Sequence, residues 1–317
     1  MMDDPRKPVL VLGANPAWQK TVVCERLNPG EVVRVKLEAT GAAGKGFNTA
    51  RAVRAFGVPV VLVSAAGPDA AEWDAACRTE GLETRFFPID GSVRTATTIR
   101  DLSARAVTEI VEEGPAAADG ALEILLAAMA EESARSCMLV VAGTFPPGLD
   151  TRRALDQLST LTIPVVIDSV PAVRGLRELE RVPANLMVKL NESEWKSVFQ
   201  EENLDSAIAD ARRLWPRASL LATRGERGAL LSCPGKHSQI LTSEPFEVDA
   251  EINPIGAGDA FTGGYAVAVC RGDSILEAAL HGMAVARASC LNRLPARFSM
   301  EEVAVSTDLV RCEPQDA

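Results

Sequence analysis

The sequence is poor in the residues that build metal centres and histidine-based active sites. Its 317 residues include two histidines, His237 and His281, which stand far apart without ligand spacing. Seven cysteines are scattered, mostly in apolar runs, and none forms a C-x-x-C pair. Because zinc sites and Ser-His-Asp triads need such residues at close spacing, we expect neither kind of site. This cysteine usage is typical of a reducing compartment.

Long apolar runs and an excess of basic charge are also absent. No run reaches membrane-spanning length, and the N-terminus leads directly into a short strand-like segment. The net charge is −10 and the isoelectric point is near 5.0. Nucleic acids and anionic membranes are bound through clustered Lys and Arg, so we expect neither as a partner. We predict a cytoplasmic protein in which any phosphate recognition comes from a local site.

Short apolar strands alternate with helical segments along most of the chain. This alternation predicts an α/β fold, in which a mostly parallel central sheet carries helices on both faces and ligands bind beyond the carboxyl ends of the strands. Residues 1–317 are predicted to form a single domain, with a helix at 116–132 and a loose tail after about Leu309. The predicted sheet strands are 9–12, 58–64, 83–89, 138–142, 163–168, 186–190, 220–223 and 229–232.

Two pairs of β-branched segments interrupt this alternation. Segments 21–23 and 32–37 flank the turn Asn28-Pro29-Gly30, and segments 94–99 and 106–111 are separated by Leu102-Ser103-Ala104. Both patterns indicate hairpins outside the main sheet. We predict a small β lid formed by segments of about 17–40 and 92–113.

The stretch Asn253 to Gly264, with the sequence NPIGAGDAFTGG, precedes an apolar helical run. Its glycines allow a turn at the start of the helix, where free amides and the positive end of the helix dipole favour an anion. Asp259 lies in the same turn and would repel a bound phosphate, unless it takes a proton from a nucleophile attacking that phosphate. The alternative is an ordinary glycine-rich turn capped by the aspartate.

A second glycine-rich stretch, residues 41–50, precedes another helix. Lys45 is followed by Gly46 rather than by Ser or Thr, so the stretch does not match the phosphate-binding P-loop. Glycine would let a ligand approach Lys45 and Asn48, although a plain helix-entry loop remains an alternative.

These motifs resemble the ribokinase/PfkB family of sugar kinases over nearly the whole chain. Gly44 to Ala50 and Asn253 to Gly264 match the two signatures of the family in order and spacing. The chain is most similar to the branch of 1-phosphofructokinases and tagatose-6-phosphate kinases. The motifs shared with that branch are Asn15-Pro16-Ala17, Thr108-Glu109-Ile110, Glu113-Gly114-Pro115, Gly143-Thr144-Phe145-Pro146-Pro147-Gly148 and Asn253-Pro254.

The resemblance implies a ribokinase-like three-layer fold and an ATP- and Mg²⁺-dependent kinase. The implied acceptor is a hydroxyl on a sugar phosphate of the fructose 1-phosphate or tagatose 6-phosphate type. Asp259 would be the catalytic base, and the amides of Gly256, Ala257 and Gly258 would form the anion hole. The other implied site residues are Gln19, Gly44, Lys45, Asn48, Arg94 and Thr144 for the substrate, Lys189, Asn191, Thr223, Arg224, Gly225, Gly228 and Gly258 for the nucleotide, and Glu194 for the metal.

Arg94 would contact a phosphate already present on the sugar, and its alternative is a solvated charge on the lid. For Asn191 and Glu194 the alternative is a polar helix start after a strand. Lids of this family often pair across a homodimer, which the sequence leaves undecided.

Three departures from the branch fall on the substrate side. Gln19 stands where the branch has an acid, Ala96 and Thr98 replace an Asn and a Lys, and Ala43 replaces a glycine. An unphosphorylated sugar, a sugar acid or a nucleoside is therefore an alternative acceptor.

A non-catalytic nucleotide-binding regulator is the alternative from another class of protein. The intact Asp259 argues against it, because a carboxylate beside the phosphate would weaken simple binding. A nicotinamide dehydrogenase is disfavoured, since Gly13-Ala14-Asn15-Pro16 lacks the further glycines of a dinucleotide fingerprint.

Overall fold

The computed structural model describes residues 7–247 and 252–314, which form two sheets and the helices packed on them. The strands are β1 (Val9–Gly13), β2 (Ala17–Cys24), β3 (Lys36–Ala43), β4 (Val60–Ala66), β5 (Glu83–Pro88), β6 (Arg94–Asp101), β7 (Ala106–Val111), β8 (Met138–Ala142), β9 (Val165–Asp168), β10 (Leu186–Asn191), β11 (Ser219–Thr223), β12 (Ala229–Ser232), β13 (Gln239–Ser243) and β14 (Val310–Pro314). The helices are α1 (Lys45–Ala55), α2 (Ala70–Thr79), α3 (Ala121–Arg135), α4 (Thr151–Asp156), α5 (Val170–Leu176), α6 (Glu192–Phe199), α7 (Leu204–Leu214), α8 (Ala257–Arg271), α9 (Ile275–Cys290) and α10 (Met300–Asp308).

The large sheet has the strand order β14-β13-β12-β11-β10-β9-β8-β1-β4-β5. All pairings from β11 through β5 are parallel, which confirms the predicted mostly parallel sheet. The other end is antiparallel, from β11 to β14, and was not predicted. The expected loose tail is wrong for residues 310–314, because β14 pairs with β13 along its whole length.

Helices cover both faces of this sheet, as predicted. Within β1, Leu10 and Leu12 face one core while Val9 and Val11 face the other, since successive side chains of a strand point to opposite faces. Helices α3 to α7 cover the first core, and α1, α2, α8 and α9 cover the second. Strands buried on both faces explain the short, uninterrupted apolar runs of the sequence. Helix α3 begins at residue 121, later than the predicted 116.

The small sheet has the order β3-β2-β6-β7 and contains the two segments predicted to form the lid. Each predicted hairpin is present, and parallel pairing of β2 with β6 joins the two. The second strand of the first hairpin was predicted at 32–37, and this prediction is wrong: the strand, β3, runs from residue 36 to 43. Leu27 and Val33, which lie between β2 and β3, pack against an apolar cluster of the small sheet formed by Val22, Cys24 and Ile99. That this sheet serves as a lid stays a prediction.

Cys137 and Cys270 form a disulfide between the start of β8 and the end of α8. The spacing of the cysteines did not predict this pair, since 133 residues separate its members and only the fold brings them together. Across the described residues, no helix has the length and apolar character needed to cross a bilayer.

Two consecutive glycines let α8 pack closely between α1 and α9. A Cβ on Gly263 would lie 2.5 Å from Cβ of Ala52 in α1, and one on Gly264 would lie 2.7 Å from Cγ2 of Val285 in α9. Both distances are far below van der Waals contact, so any larger residue would push the helices apart. The close packing predicted from Gly263 and Gly264 is confirmed.

Replacing Gly263 by Ala should therefore destabilise the fold although alanine favours helices. The added methyl also meets the Thr49 carbonyl at 3.0 Å, so we expect the free energy of unfolding to fall by about 1–3 kcal/mol. Urea denaturation measures the change. Gly41→Ala is the control, because nothing lies within 4 Å of its Cβ position, and its effect should stay within about 0.5 kcal/mol. Equal stability of Gly263→Ala and the wild type would contradict the packing argument.

Candidate active site

The first turn of α8 carries a buried carboxylate beside a glycine-rich turn. Gly256 caps the helix with a left-handed φ of 76°, and Asp259 is buried one turn further on. A residue with a Cβ would be strained at Gly256 and would meet Pro295 at 2.7 Å. The glycine is therefore required both by the turn and by the neighbouring loop.

Asn48 of α1 fixes one oxygen of this carboxylate. Its Nδ2 donates to Oδ2 of Asp259 at 2.8 Å, in a contact that is fully buried. The two glycine-rich stretches, more than two hundred residues apart in sequence, therefore meet at one hydrogen bond. Oδ1 of Asp259 has no donor among the described residues and can accept a proton from a ligand.

The three amides of the predicted anion hole are not equivalent. The amide of Ala257 donates to the Pro254 carbonyl at 3.2 Å, as part of the turn before the helix. Gly256 and Gly258 have amides without a backbone acceptor in the described part of the chain, as expected in the first turn of a helix. These two amides are free to bind an anion, which the helix dipole also favours, so they suit an anion better than the Ala257 amide does.

A second buried carboxylate, that of Asp168 at the end of β9, binds residues that fix the first turn of α8. It accepts hydrogen bonds from Nζ of Lys189 at 2.6 Å and from Oγ1 of Thr262 at 2.8 Å. The Lys189 ammonium also donates to the Gly258 carbonyl at 2.9 Å. Lys189 therefore bridges β9, β10 and the peptide that precedes Asp259.

Lys45 completes this cluster. Its Nζ lies 3.3 Å from Asp168 and 3.3 Å from Glu194. The charge of Asp168 raises the pKa of Lys45 above its ordinary value, and Glu194 and Asp259 contribute to the same shift. Its contacts are Asp168, which had no predicted role, and Glu194, the predicted metal residue, rather than the predicted substrate residues Gln19 and Asn48.

The two aspartates have opposite pKa shifts. Burial raises the pKa of Asp259 to about 6; the charge of Lys45 opposes this rise and the charge of Asp168 adds to it. Burial alone would also raise the pKa of Asp168, but Lys189 and Lys45 lower it to about 2. Asp168 therefore stays charged, whereas Asp259 can exchange a proton near neutral pH.

Other predicted substrate residues lie on the small sheet or beside it. The Gln19 amide donates to Oγ1 of Thr98 at 2.6 Å, and Gln19 and Asn48 both line a cavity of about 300 Å³. Gly44 has a φ of 105°, which only glycine adopts easily. Thr144 is exposed and accepts from Nδ2 of Asn15 at 2.9 Å.

Arg94 is bound to the protein itself. Its guanidinium donates to the carbonyls of Pro16, Glu112 and Asn15 at 3.3, 3.1 and 3.3 Å. Burial lowers the pKa of Arg94. Nε and Nη2 join the small sheet to the loop after β1, and Nη1 binds the residue after β7, so Arg94 is not a freely solvated charge. Its contact with a phosphate stays a prediction.

A separate cavity of about 330 Å³ lies beyond the carboxyl ends of β10 and β11. It brings together four predicted nucleotide residues, Asn191, Thr223, Arg224 and Gly225, with the cations Lys196 and Arg227. Gly228 is not part of its lining. A Cβ on Gly228 would lie 1.9 Å from the Leu241 carbonyl, so this glycine is needed for close approach to β13.

Asn191 and Glu194 form a capping box at the start of α6. The Asn191 side chain accepts from the Glu194 amide at 2.8 Å, and the Glu194 carboxylate accepts from the Asn191 amide at 2.8 Å. The polar helix start that was the structural alternative is thus present. Oε1 of Glu194 lies 3.3 Å from Nζ of Lys45, and the Glu194 side chain is partly exposed.

Asp168 and Thr262 had no predicted role, although both contact the centre of the site. Thr262 was inside the quoted glycine-rich stretch. In the sequence, Asp168 could be recognised only as an acidic residue at the end of a predicted buried strand. Ligands were expected to bind beyond the ends of such strands. Its contacts depend on strand order, which the sequence does not show.

The described residues contain no group of three or more His, Cys, Asp or Glu side chains arranged to hold a metal ion. Glu194, whose side chain is partly exposed, stays the predicted metal residue.

Comparison with known proteins identifies the family to which the chain is similar. A family model described as pfkB family carbohydrate kinase matches residues 16–302. The ATP-dependent 6-phosphofructokinase isozyme 2 of Mycobacterium tuberculosis is 24% identical over 311 residues, covering 95% of this chain and 89% of that protein. The 1-phosphofructokinase of Haemophilus influenzae is 25% identical over 266 residues, covering 81% of this chain and 82% of that protein.

The fold is shared with solved structures as well. A possible 1-phosphofructokinase from Thermotoga maritima has a TM-score of 0.84 at 19% identity, covering 97% of this chain and 99% of that one. Since the family model spans most of the sequence, the chain belongs to the pfkB family of carbohydrate kinases. The resemblance and the three-layer fold inferred from the sequence are confirmed.

The raised pKa of Asp259 predicts a pH-dependent cost in stability. Between the unfolded value of roughly 3.9 and the folded value of about 6, the folded protein binds more protons than the unfolded chain. Stability therefore falls as pH rises through this window, by about 1–3 kcal/mol. Asp259→Asn should be more stable than the wild type at pH 8 by that amount, because Asn still accepts from Asn48 without a buried charge.

Chemical denaturation at several pH values measures this difference, which should shrink towards pH 4. Asp273→Asn, an exposed position at the other end of α8, is the control and should show no such trend. A variant that is less stable than the wild type at pH 8 would contradict the destabilising burial of Asp259.

Proposed function

We propose that this carbohydrate kinase transfers the γ-phosphate of ATP to a sugar hydroxyl, with Asp259 as the base. The observation that carries the proposal is a buried carboxylate with a pKa of about 6, held in the first turn of α8 beside two free amides. A base whose pKa lies near the working pH is the most effective proton acceptor. A regulator that only binds a nucleotide has no use for this carboxylate.

The two oxygens of Asp259 have separate tasks in this proposal. Oδ2 is held by Asn48 at 2.8 Å, which fixes the orientation of the carboxylate. Oδ1 accepts the proton of the acceptor hydroxyl as that oxygen attacks the phosphate. Holding the base and the acceptor in line contributes more than the proton transfer itself, because phosphoryl transfer depends mainly on positioning and on charge stabilisation.

The amides of Gly256 and Gly258 stabilise the negative charge of the transferred group. Charge on that group is greatest during transfer, so donors fixed in advance lower the barrier. Lys189 contacts the Gly258 carbonyl at 2.9 Å and thereby fixes this turn. Ala257 contributes less than the sequence implied, since its amide donates to Pro254.

ATP would occupy the cavity beside Asn191, Thr223, Arg224 and Gly225. Arg224 and Lys196 suit a polyphosphate, whereas Arg227 in the same lining is paired with Glu192. Mg²⁺ would be held by Glu194 together with the phosphates, and when bound it neutralises part of their charge. Lys45, which pairs with Glu194 at 3.3 Å, places a second cation at the same point.

The acceptor is a sugar or a sugar phosphate. The names of the relatives, 6-phosphofructokinase and 1-phosphofructokinase, favour the fructose 1-phosphate or tagatose 6-phosphate type. The structure of Arg94 favours an unphosphorylated acceptor, because its guanidinium is already bound to three carbonyls.

Asp259→Asn should lower kcat by about 10²–10⁴-fold, because the amide cannot take the proton of the acceptor. The dissociation constant for ATP should change little, since Asp259 lies outside the nucleotide cavity. A coupled assay of ADP formation gives kcat, and calorimetry gives the affinity for ATP. The control Asp273→Asn should keep the wild-type rate. An unchanged kcat in Asp259→Asn would remove Asp259 from the chemistry.

We further propose a homodimer formed through the small sheet. All residues of the edge strand β7 are exposed, including Val107, Ile110 and Val111. Leu37 and Leu102 add exposed apolar area on the same sheet. An exposed apolar edge strand is a common contact between chains, because it offers unpaired backbone groups as well as apolar area.

Ile110→Lys should weaken this dimer, since it places a charge in an apolar interface. We expect the mass measured by light scattering at micromolar concentration to shift towards that of the monomer. Val305→Lys is the matched control, because Val305 is equally exposed on α10, outside the small sheet, and its change should leave the mass unaltered. A monomeric wild type, or a dimer in both variants, would contradict an interface at β7.

A further inference from the structure

Arg51 lies on α1, about one turn after Asn48, and is largely buried. Its side chain is 12% exposed, and it lines the cavity of about 300 Å³ together with Asn48. A buried guanidinium is costly unless its N–H groups find acceptors, so its partners show which parts of the structure it holds together. Burial lowers the pKa of Arg51 to about 10 and the charge of Glu80 opposes this shift, so the guanidinium stays charged at neutral pH.

The first partner of Arg51 is the amide that holds the base. Nη1 of Arg51 lies 3.5 Å from Oδ1 of Asn48, while Nδ2 of Asn48 donates to Oδ2 of Asp259 at 2.8 Å. A guanidinium has donors only, so it can face only the oxygen end of an amide. A reversed Asn48 amide would place its NH2 group against the guanidinium and its oxygen against the carboxylate, and both contacts would be repulsive. Arg51 therefore selects the orientation in which Asn48 donates to Asp259.

This selection persists when the carboxylate loses its charge. An ionised Asp259 attracts the NH2 end of Asn48 by itself, but that attraction weakens once Asp259 has taken a proton. Arg51 remains charged at that point, so the Asn48 amide keeps its direction throughout the proposed transfer. Oδ2 of Asp259 thus stays occupied, and Oδ1 is left to receive the proton.

The second partner of Arg51 is the loop after α9, which packs on the turn at Gly256. Nη1 of Arg51 donates to the Pro295 carbonyl at 3.0 Å. A Cβ on Gly256 would lie 2.7 Å from Cβ of Pro295 and 3.0 Å from the amide nitrogen of Ala296, so the loop touches the turn directly. Ala296 has a left-handed φ of 52°, a conformation that a residue with a Cβ keeps only where its surroundings impose it. Arg51 therefore helps to fix the loop against which the candidate anion site is built.

The remaining contacts anchor Arg51 itself. Nη2 donates to the Ala42 carbonyl at 3.2 Å and pairs with Glu80 at 3.5 Å, and the guanidinium lies 4.7 Å from the centre of the Phe47 ring. Nε has no acceptor in the described part of the chain. Because β3 and the end of α2 both hold the guanidinium, its direction is fixed. Glu80 is also paired with Arg297, so it keeps a partner when Arg51 is replaced.

We propose that Arg51 is a positioning residue of the transfer reaction. It orients the Asn48 amide towards Asp259, and it holds the Pro295 loop against the turn at Gly256. The proposal rests on the proposed function, because it concerns the base and the anion site of that function. Arg51 needs no contact with either substrate for this role, since it acts through its two partners.

Removing Arg51 should raise the pKa of Asp259 further. The charged groups that act on this carboxylate are Arg51 and Lys45 of α1, Asp168 of β9 and Lys189 of β10. Burial raises the pKa of Asp259 to about 6, against the cations and the hydrogen bond from Asn48. Without Arg51 one cation is lost and the Asn48 amide is free to turn away, so the neutral form of Asp259 is favoured.

The pH profile of kcat/KM for ADP formation measures this pKa. The acceptor is whichever of fructose, fructose 1-phosphate, fructose 6-phosphate and tagatose 6-phosphate gives the highest kcat/KM. The wild-type profile should fall below about pH 6. In Arg51→Met, which keeps an apolar stem without donors, the fall should begin about one pH unit higher, the effect of one hydrogen bond to a charged group. Relative to its own value at pH 8.5, the variant should then be about tenfold slower than the wild type at pH 5.

The same variant tests the contact with the loop. At pH 8.5 Asp259 is ionised in the wild type and in Arg51→Met, so a difference in kcat reports the anion site and not the base. A loosened loop should lower kcat by about threefold or more with KM for ATP within about twofold, because charge stabilisation acts only during the transfer. An unchanged kcat at this pH would overturn the role of the Pro295 loop.

Asn48→Ala tests whether Arg51 acts on the base through Asn48. This variant should shift the profile in the same direction, and the double variant should shift it by less than the sum of the two single shifts, because the changes interrupt one chain of contacts. A shift in the double variant equal to that sum would overturn the action through Asn48.

Arg54→Met is the matched control, because Arg54 is an exposed arginine further along α1 that donates to the Gly81 carbonyl at 3.2 Å. It should keep the wild-type profile. Circular dichroism shows which variants fold, and Arg51→Lys replaces Arg51→Met if the latter does not, since a single ammonium cannot reproduce the fork and should shift the profile in the same direction. A wild-type profile in a folded Arg51 variant would overturn the proposal and leave the proposed function intact. A wild-type enzyme with constant kcat/KM down to pH 4.5 would overturn both.

Discussion

The active site depends on one buried ion cluster. The carboxylate of Asp168 is almost fully inaccessible and accepts from Lys189, Lys45 and Thr262, which belong to three different elements. A buried charge is tolerated only when it is paired and hydrogen-bonded, so these elements cannot separate without a large penalty. The end of β9, the end of β10 and the first turns of α1 and α8 are therefore fixed at one point. The candidate anion site and the proposed base, Asp259, are both built on that point.

The same cluster separates the roles of two neighbouring acids. Asp168 has two ammonium partners and remains ionised, while Asp259 is buried with only an amide partner and titrates near pH 6. Two carboxylates whose environments push their pKa values apart serve different purposes. The charged one is structural, and the one with the raised pKa is the base of the proposed function. Close packing through Gly263 and Gly264 keeps α8 in the position that this division requires.

Much of this arrangement was predictable from local sequence. Buried strands such as 138–142 appear as uninterrupted apolar runs, and the roles proposed for Asp259 and the glycines before it rest on chemistry within one turn. The antiparallel edge was missed because β13 (QILTS) and β14 (VRCEP) lack the uninterrupted apolar runs that marked the predicted strands. The disulfide, the pairing of β2 with β6 and the contacts of Asp168 depend on strand order, which no local pattern contains. The three carbonyls that Arg94 binds were also not visible in the sequence, because other segments of the chain supply them.

The pH dependence of the transfer reaction tests the account most directly. We would measure kcat/KM for ADP formation between pH 4.5 and 8.5, with the best acceptor at subsaturating concentration. If Asp259 is the base, kcat/KM falls tenfold per pH unit below about 6, the pKa of the free enzyme's carboxylate. A rate that stays constant down to pH 4.5, in a protein shown by circular dichroism to remain folded, would contradict the assignment of Asp259 as the group that takes the proton.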